Sequence, residues 1–128
     1  MQKIIIDNKE YDISCNAFTR FQYKSIFGNG IFADIKILKD FSDKQSKIRE
    51  DLTKKGLNEK EIEEQINSAM MENLDDFLDV ITKIAYILIF TANSKIGSFE
   101  DWLKGLNKIN LAENWVTEVT EFAVSSFC

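Results

Sequence analysis

The chain has 128 residues, a formal net charge of −5, and 45% hydrophobic, 12% aromatic and 29% charged residues. These values are typical of a globular protein and exclude a disordered, collagen-like or disulfide-scaffold chain. A chain of this length builds about one hydrophobic core, so residues 1–128 are predicted to form a single domain. The acidic balance supplies none of the cationic field that phosphate backbones require, so no nucleic-acid partner is expected.

The cysteines and the apolar segments indicate the compartment. Cys15 and Cys128 lie far apart in the chain and form neither a metal-binding nor a redox motif, which fits a reduced cytosolic compartment. The apolar run near the N-terminus is too short for the core of a secretory signal peptide. The most apolar segment, residues 84–92, is too short to cross a bilayer, so no membrane association is expected.

Residues 3–14 predict a β-hairpin at the N-terminus. Three isoleucines precede a polar turn, after which Tyr11 and Ile13 alternate with polar residues. Asn8 tolerates the positive φ that a tight turn requires. Because a lone two-stranded hairpin is marginal in water, this hairpin is expected to pack on helices or on another chain.

Two helices are predicted after the hairpin. Asn16 is expected to cap a helix that ends at Phe27, and Gly28 then supplies the left-handed residue that terminates it. The phenylalanines of this first helix give it a broad aromatic face. Residues 31–41 keep helical spacing of their apolar side chains and predict a second helix, although its centre resembles a strand. Residues 40–64 form a charge-dense segment in which a solvated helix is predicted, and Lys55 and Gly56 are expected to close this helix.

The strongest helix start in the sequence follows Gly56. Asn58 is expected to be the N-cap, with a glutamate at the third helical position that completes a capping box. A break or a kink is expected near Asn73, before a central apolar helix over residues 74–92. In that prediction Asp75 lies in the first turn of the central helix, where the helix dipole favours an anion.

The last third of the chain predicts two more helices. Ser98 is expected to start a short helix, and a final helix is expected to begin at about Leu111, with Asn110 as its cap. The predicted fold is therefore mainly α, with an N-terminal β-hairpin over residues 3–14 packed on a bundle of about five helices over residues 16–127. This is a small α+β fold.

Few residues in the sequence suggest catalysis. Asp75, Asp76 and Asp79 bring at most two carboxylates to one side of a helix, which is a weak basis for metal binding. Cys15 as a nucleophile would need a lysine or carboxylate base, because the chain contains no histidine. No glycine-rich phosphate loop is present in the sequence. We therefore expect no catalytic residue, no metal ligand and no cofactor.

The aromatic content instead suggests a surface for other proteins. Ten phenylalanines and two tryptophans are more than a compact core of this size easily hides. A groove for a partner is predicted between the helix over residues 74–92 and the short helix after Ser98. The predicted partner-binding residues are Leu88, Phe99, Trp102, Leu103, Leu106 and Trp115.

The order of several segments resembles one protein family. The segments are Ile4–Ile13, Ser25–Gly28, Ile81–Ala92, Ser98–Leu103 and Trp115–Val119. Together they resemble the tail assembly chaperones of long-tailed phages and prophages in low-GC Gram-positive bacteria. The charged segment over residues 42–73 matches no part of this pattern.

The resemblance implies a non-enzymatic protein of the host bacterial cytoplasm that is absent from the mature particle. It implies binding and solubilisation of the tape measure protein, recruitment of tail tube subunits during tail morphogenesis, and self-association. The alternatives are a helical protein–protein adaptor or regulator of bacterial origin and a small enzyme with facing carboxylates, which would need two acids with perturbed pKa in one pocket. An acidic mimic of DNA would need its charge on one surface, and it is discounted because lysines interleave with the acids throughout the middle segment.

Overall fold

A computed structural model describes residues 2–110 and 113–127 of the chain. Over these ranges the elements are β1 (Gln2–Ile6), β2 (Lys9–Ile13), α1 (Thr19–Phe27), α2 (Ile31–Lys54), α3 (Glu59–Ala92), a 3₁₀ turn (Ser94–Ile96), α4 (Phe99–Lys104) and α5 (Asn114–Phe127). The predicted fold class, an N-terminal hairpin with about five helices, is confirmed.

The hairpin forms where the sequence predicts it. β1 and β2 pair antiparallel around Asp7 and Asn8, whose φ values of 53° and 63° give a turn that matches the twist of the strands. The backbone N–H of Ser14 donates to the carbonyl of Leu88 at 3.1 Å, which fixes the end of β2 to α3. The inward side chains of the hairpin are buried in the main core, and these are Ile4, Ile6 and Ile13.

Helix α1 begins at Thr19, three residues after the predicted N-cap, Asn16. The side-chain oxygen of Asn16 accepts from the backbone N–H of Phe18 at 2.9 Å, so Asn16 closes a short turn in front of the helix instead of capping it. The helix ends as predicted, because Gly28 adopts φ 81° and its N–H bonds to the carbonyl of Lys24.

Helices α2 and α3 are each longer than the segments that predict them. α2 runs unbroken from Ile31 to Lys54, so it joins the predicted helix over residues 31–41 to the solvated helix of the charged segment, and it ends where Lys55 and Gly56 are expected to close it. α3 runs unbroken through Asn73, so the break expected there is wrong, and Asp75 lies inside a helix instead of in a first turn. No glycine or proline interrupts either helix, and a continuous apolar side in each offsets the high charge density. The capping box at Asn58 is confirmed.

The pair of helices α2 and α3 has two parts, one in the main core and one beyond it. Residues 31–41 and 77–92 contribute to the main core together with residues of the β-hairpin, α1, α4 and α5. We call this part of the molecule the body. Residues 42–76 extend beyond it as a two-helix arm with its own small core, formed by Leu52, Ile62, Ile66 and Met70. Phe41 stacks on Phe77 with ring centroids 4.1 Å apart at the junction of the two parts.

The last two helices close the body. The Ser98 hydroxyl accepts from the backbone N–H of Asp101 at 3.1 Å and caps α4 as predicted. α5 packs on β1, α2 and α3, and Trp115 and Val119 on it are buried. The described part of this helix begins at Asn114, and the predicted start at Leu111 lies outside the described residues.

Candidate protein-binding surfaces

The six residues predicted to bind a partner lie in or against the main core. Three of them are buried, and these are Leu88, Trp102 and Trp115. The other three are half-buried and pack against the same core, and these are Phe99, Leu103 and Leu106. Their role in partner binding stays a prediction, but in this conformation they act as core residues.

Aromatic rings fill the space between α3 and α4, where the sequence predicts an open groove. The Tyr86 ring lies 5.4 Å from the ring of Phe99 and 5.8 Å from that of Trp102, between centroids, and Trp102 in turn meets Tyr11 at 6.2 Å. The Tyr86 hydroxyl donates to the carbonyl of Gly97 at 2.6 Å, and burial raises the pKa of this tyrosine. The rings therefore pack against one another in the folded chain.

Exposed phenylalanines instead gather on the outer side of α1 and at the start of α2. Phe18, Phe21 and Phe32 are 61%, 56% and 47% exposed. The Phe32 ring also meets the half-buried ring of Phe127 edge-on, with centroids 6.4 Å apart. We call these four residues the aromatic patch. Single exposed apolar residues are ordinary, but a group of this kind marks an interaction surface.

A cationic side chain lies between the rings of the aromatic patch. The Arg20 guanidinium carbon is 4.8 Å from the ring centroid of Phe21 and 5.7 Å from that of Phe32. These distances are typical of cation–π contacts. A shallow cavity of about 580 Å³ is lined by Phe21, Phe32 and Phe127 and reaches Cys15 and Ser126. Residues 13–33 contain Arg20 and Lys24 but no acid, so this end of an acidic chain is apolar and positive.

Buried polar contacts hold α1 in place beneath the aromatic patch. The Tyr23 hydroxyl donates to the carboxylate of Asp34 at 2.5 Å and so joins α1 to α2. Burial first, and then this hydrogen bond, raise the pKa of Tyr23 far above its ordinary value. The hydroxyls of Thr19 and Thr91 lie 3.1 Å apart and join α1 to α3. The patch is thus presented by a fixed scaffold.

Cys15, at the margin of the patch, lacks the environment of an activated nucleophile. Burial raises the pKa of its thiol, and a weaker hydrogen bond with Thr19 lowers it only in part. A raised pKa disfavours the thiolate, which is the reactive form, at neutral pH. Among residues 2–110 and 113–127, no three His, Cys, Asp or Glu side chains form a group that could hold a metal ion.

A second apolar surface lies along the arm, and we call it the arm groove. It is a cleft of about 490 Å³ between α2 and α3. Met71, at its edge, is 67% exposed, and Val116 and Thr117 of α5 close the end nearest the body. The apolar lining comes mainly from Phe41, Ile66, Met70, Leu74 and Phe77.

The sequence contained part of the signal for the aromatic patch. Phe18 and Phe21 are three positions apart, so they share a helical side that differs from the side of Tyr23. The hydropathy of a phenylalanine does not reveal which side faces the core, so the sequence alone predicts only a broad aromatic face. The arm groove forms only where α2 pairs with α3, so no comparable pattern in the sequence indicates it.

No protein-family model, curated protein or solved structure matches this chain. In the described ranges, none of the helices combines the length and the apolar character needed to cross a bilayer.

Proposed function

We propose that this chain is a non-enzymatic phage tail assembly chaperone of the host cytoplasm. In this proposal it binds and solubilises the tape measure protein, helps to recruit tail tube subunits, and associates with further copies of itself. The observation that carries the proposal is the aromatic patch, where three phenylalanines remain about half exposed or more in an otherwise charged chain. The resemblance in the order of the sequence segments supports the same role.

The chemistry of the patch suits a chaperone that must later release its client. Phe18 and Phe21 offer flat apolar area to an apolar stripe on a client, and Arg20 supplies a cation for an acidic neighbour of that stripe. The cavity beside Phe21 and Phe32 is shallow, so the buried area per copy is small and each contact is weak. Several copies along one long client would hold it firmly while each remained displaceable.

The remaining surface favours solubility of the complex. The chain carries 21 acidic against 16 basic residues, while the segment that presents the patch carries no acid. A client bound at the patch would therefore be surrounded by the negative surface of its chaperones, which opposes further association of the complexes.

Co-expression with a candidate tape measure protein tests the proposal. We expect a soluble complex with many copies of this chain per client, measured by light scattering after size separation. The variant Phe18→Ser/Phe21→Ser/Phe32→Ser should leave the client insoluble, because these rings lie at the surface and their loss removes the binding area.

Ile5→Ser is the matched control, because Ile5 is a large apolar residue with similar exposure on the outer side of the hairpin. It should keep the client soluble. Equal solubilisation by the triple variant would refute a role for the aromatic patch. A single tight complex with one other protein, and an insoluble tape measure protein, would instead establish the adaptor alternative.

A further inference from the structure

Within the described ranges, the arm has no third helix at the position that α5 occupies in the body. In the body, α5 packs on both α2 and α3. Val116 and Thr117, near the first turn of α5, form one end of the arm groove. The groove therefore continues the line of α5 along the arm, where α2 and α3 have only each other.

The lining of the groove matches a helix partner. Most of its apolar side chains come from α3, and α2 adds Phe41 at the end nearest the body and the polar side chains of Gln45 and Arg49 along the arm. Both methionines among the described residues, Met70 and Met71, contribute to it. Methionine side chains are flexible and adapt to different apolar surfaces, as in other sites that bind amphipathic helices. From Glu63 to Phe77 the groove follows α3 for about 21 Å, at 1.5 Å per residue.

Charge indicates what kind of helix fits. The arm, residues 42–76, contains ten acidic and six basic residues, whereas the rest of the chain contains eleven acidic and ten basic residues. At the groove itself, the Arg49 guanidinium is bound to Glu59 at 2.5 Å. Glu63 lines the groove and forms no ion pair with any described residue. The rim thus offers an uncompensated carboxylate to an incoming helix.

We infer that the arm groove binds an amphipathic helix of another protein, with a leucine-type apolar side flanked by lysine or arginine. Apolar side chains of this helix would cover Met71 and Leu74, and its flanking cations would lie near Glu63. The inference concerns a different surface from the aromatic patch and does not depend on the identity of the tape measure protein.

A second copy of the chain fits the groove less well. Two arms of the same negative charge repel each other when they lie side by side. The basic helix of the chain, α1, has only nine residues, which span about 14 Å and fall short of the groove. α1 is also fixed to α2 and α3 through Tyr23 and Thr19.

Two synthetic helical peptides test the inference with the full chain. Both have about 18 residues with leucines at the i, i+3, i+4 and i+7 spacing, and they differ only in having lysine or glutamate beside the leucines. Fluorescence anisotropy should show the lysine peptide binding at least about tenfold more tightly than the glutamate peptide at low salt, with a smaller ratio at high salt.

Two charge reversals on α3 locate the binding site. Glu63→Lys should weaken binding of the lysine peptide by about tenfold or more, because it replaces the carboxylate at the rim. Glu72→Lys is the matched control, since Glu72 is also exposed on α3 but does not line the groove. It changes the net charge equally and should alter binding by less than about twofold. Both residues are exposed, so circular dichroism should show unchanged helicity.

The other outcomes overturn the inference. Equal effects of the two reversals would show a general attraction to an acidic chain without a site in the groove. Absence of binding, or a mass that rises with concentration in the wild-type chain but not in Glu63→Lys, would show that the groove is empty or filled by a second copy. The triple variant of the aromatic patch should bind the lysine peptide normally, which separates this result from a failure of the proposed chaperone role.

Discussion

Tyr23→Phe removes one buried hydroxyl and tests how α1 is held on α2. Tyr23 is fully buried, and its hydroxyl donates to the carboxylate of Asp34, which is itself buried in the first turn of α2. The ring of the variant can keep its contact with Phe27, at 4.9 Å between centroids, so no cavity forms beyond the lost oxygen. The carboxylate, however, loses a donor in a site that water does not reach.

The expected cost of Tyr23→Phe is about 2 to 3 kcal/mol of unfolding free energy, because hydrogen bonds to charged groups contribute about 1.5 to 3 kcal/mol and a stranded buried charge adds desolvation. Asp34→Ala instead leaves the buried Tyr23 hydroxyl without its acceptor. The double variant Tyr23→Phe/Asp34→Ala leaves neither group unpaired, so its cost in unfolding free energy should fall below the sum of the single costs by about 1 to 2 kcal/mol.

Urea unfolding followed by the fluorescence of Trp102 and Trp115 measures these costs, since both indoles are buried and report on the body. Asp34→Asn is a useful control, because its amide oxygen can still accept from Tyr23, and it should cost less than Tyr23→Phe. A cost below about 0.5 kcal/mol for Tyr23→Phe, or strictly additive costs in the double variant, would refute a coupled buried pair.

Three further predictions follow from local features of the fold. Above the ordinary tyrosine pKa of 10.0, the unfolded chain releases a proton that folded Tyr23 keeps, so stability should be complete below about pH 10 and fall as the pH rises, by up to about 1.4 kcal/mol per pH unit. Alkaline unfolding curves should show a smaller fall in Tyr23→Phe, and equal curves would contradict the raised pKa. Asn58→Ala removes the side chain that accepts from the Glu61 N–H at 2.9 Å and should cost about 1 kcal/mol in urea unfolding, whereas no loss would show that the capping box is dispensable. Amide protons of the arm should exchange with solvent faster than those of residues 77–92, because the small core of the arm has four buried residues, and uniform exchange in a deuterium experiment would argue against a separate arm.

Signals that act over a few neighbouring residues were readable from the sequence. The Asn58 capping box, the end of α1 at Gly28 and the Ser98 cap all depend on hydrogen bonds or φ values within about four positions of the residue concerned. The hairpin belongs to the same class, since its turn requires only two residues that tolerate positive φ. For this reason the number and order of the elements agree with the predicted small α+β fold.

The lengths of α2 and α3 depended on tertiary contacts. In the sequence, Ile48 and Leu52 form only a thin apolar line on α2, and the region around Asn73 resembles a helix boundary on α3. In the structure the two helices pack against each other, since Leu52 of α2 shares one small core with Ile62 and Ile66 of α3. Pairing over such distances leaves no mark in a short window of sequence.

The sequence by itself also could not separate core aromatics from surface aromatics. Trp102 and Phe18 are both large aromatic residues on predicted amphipathic helices, and hydropathy treats them alike. Trp102 is buried because α4 packs against the hairpin and against Tyr86 of α3, whereas Phe18 is exposed because no element within residues 2–110 and 113–127 covers the outer side of α1. Burial is a property of the assembled elements, so only the tertiary structure decided which rings remain available to a partner.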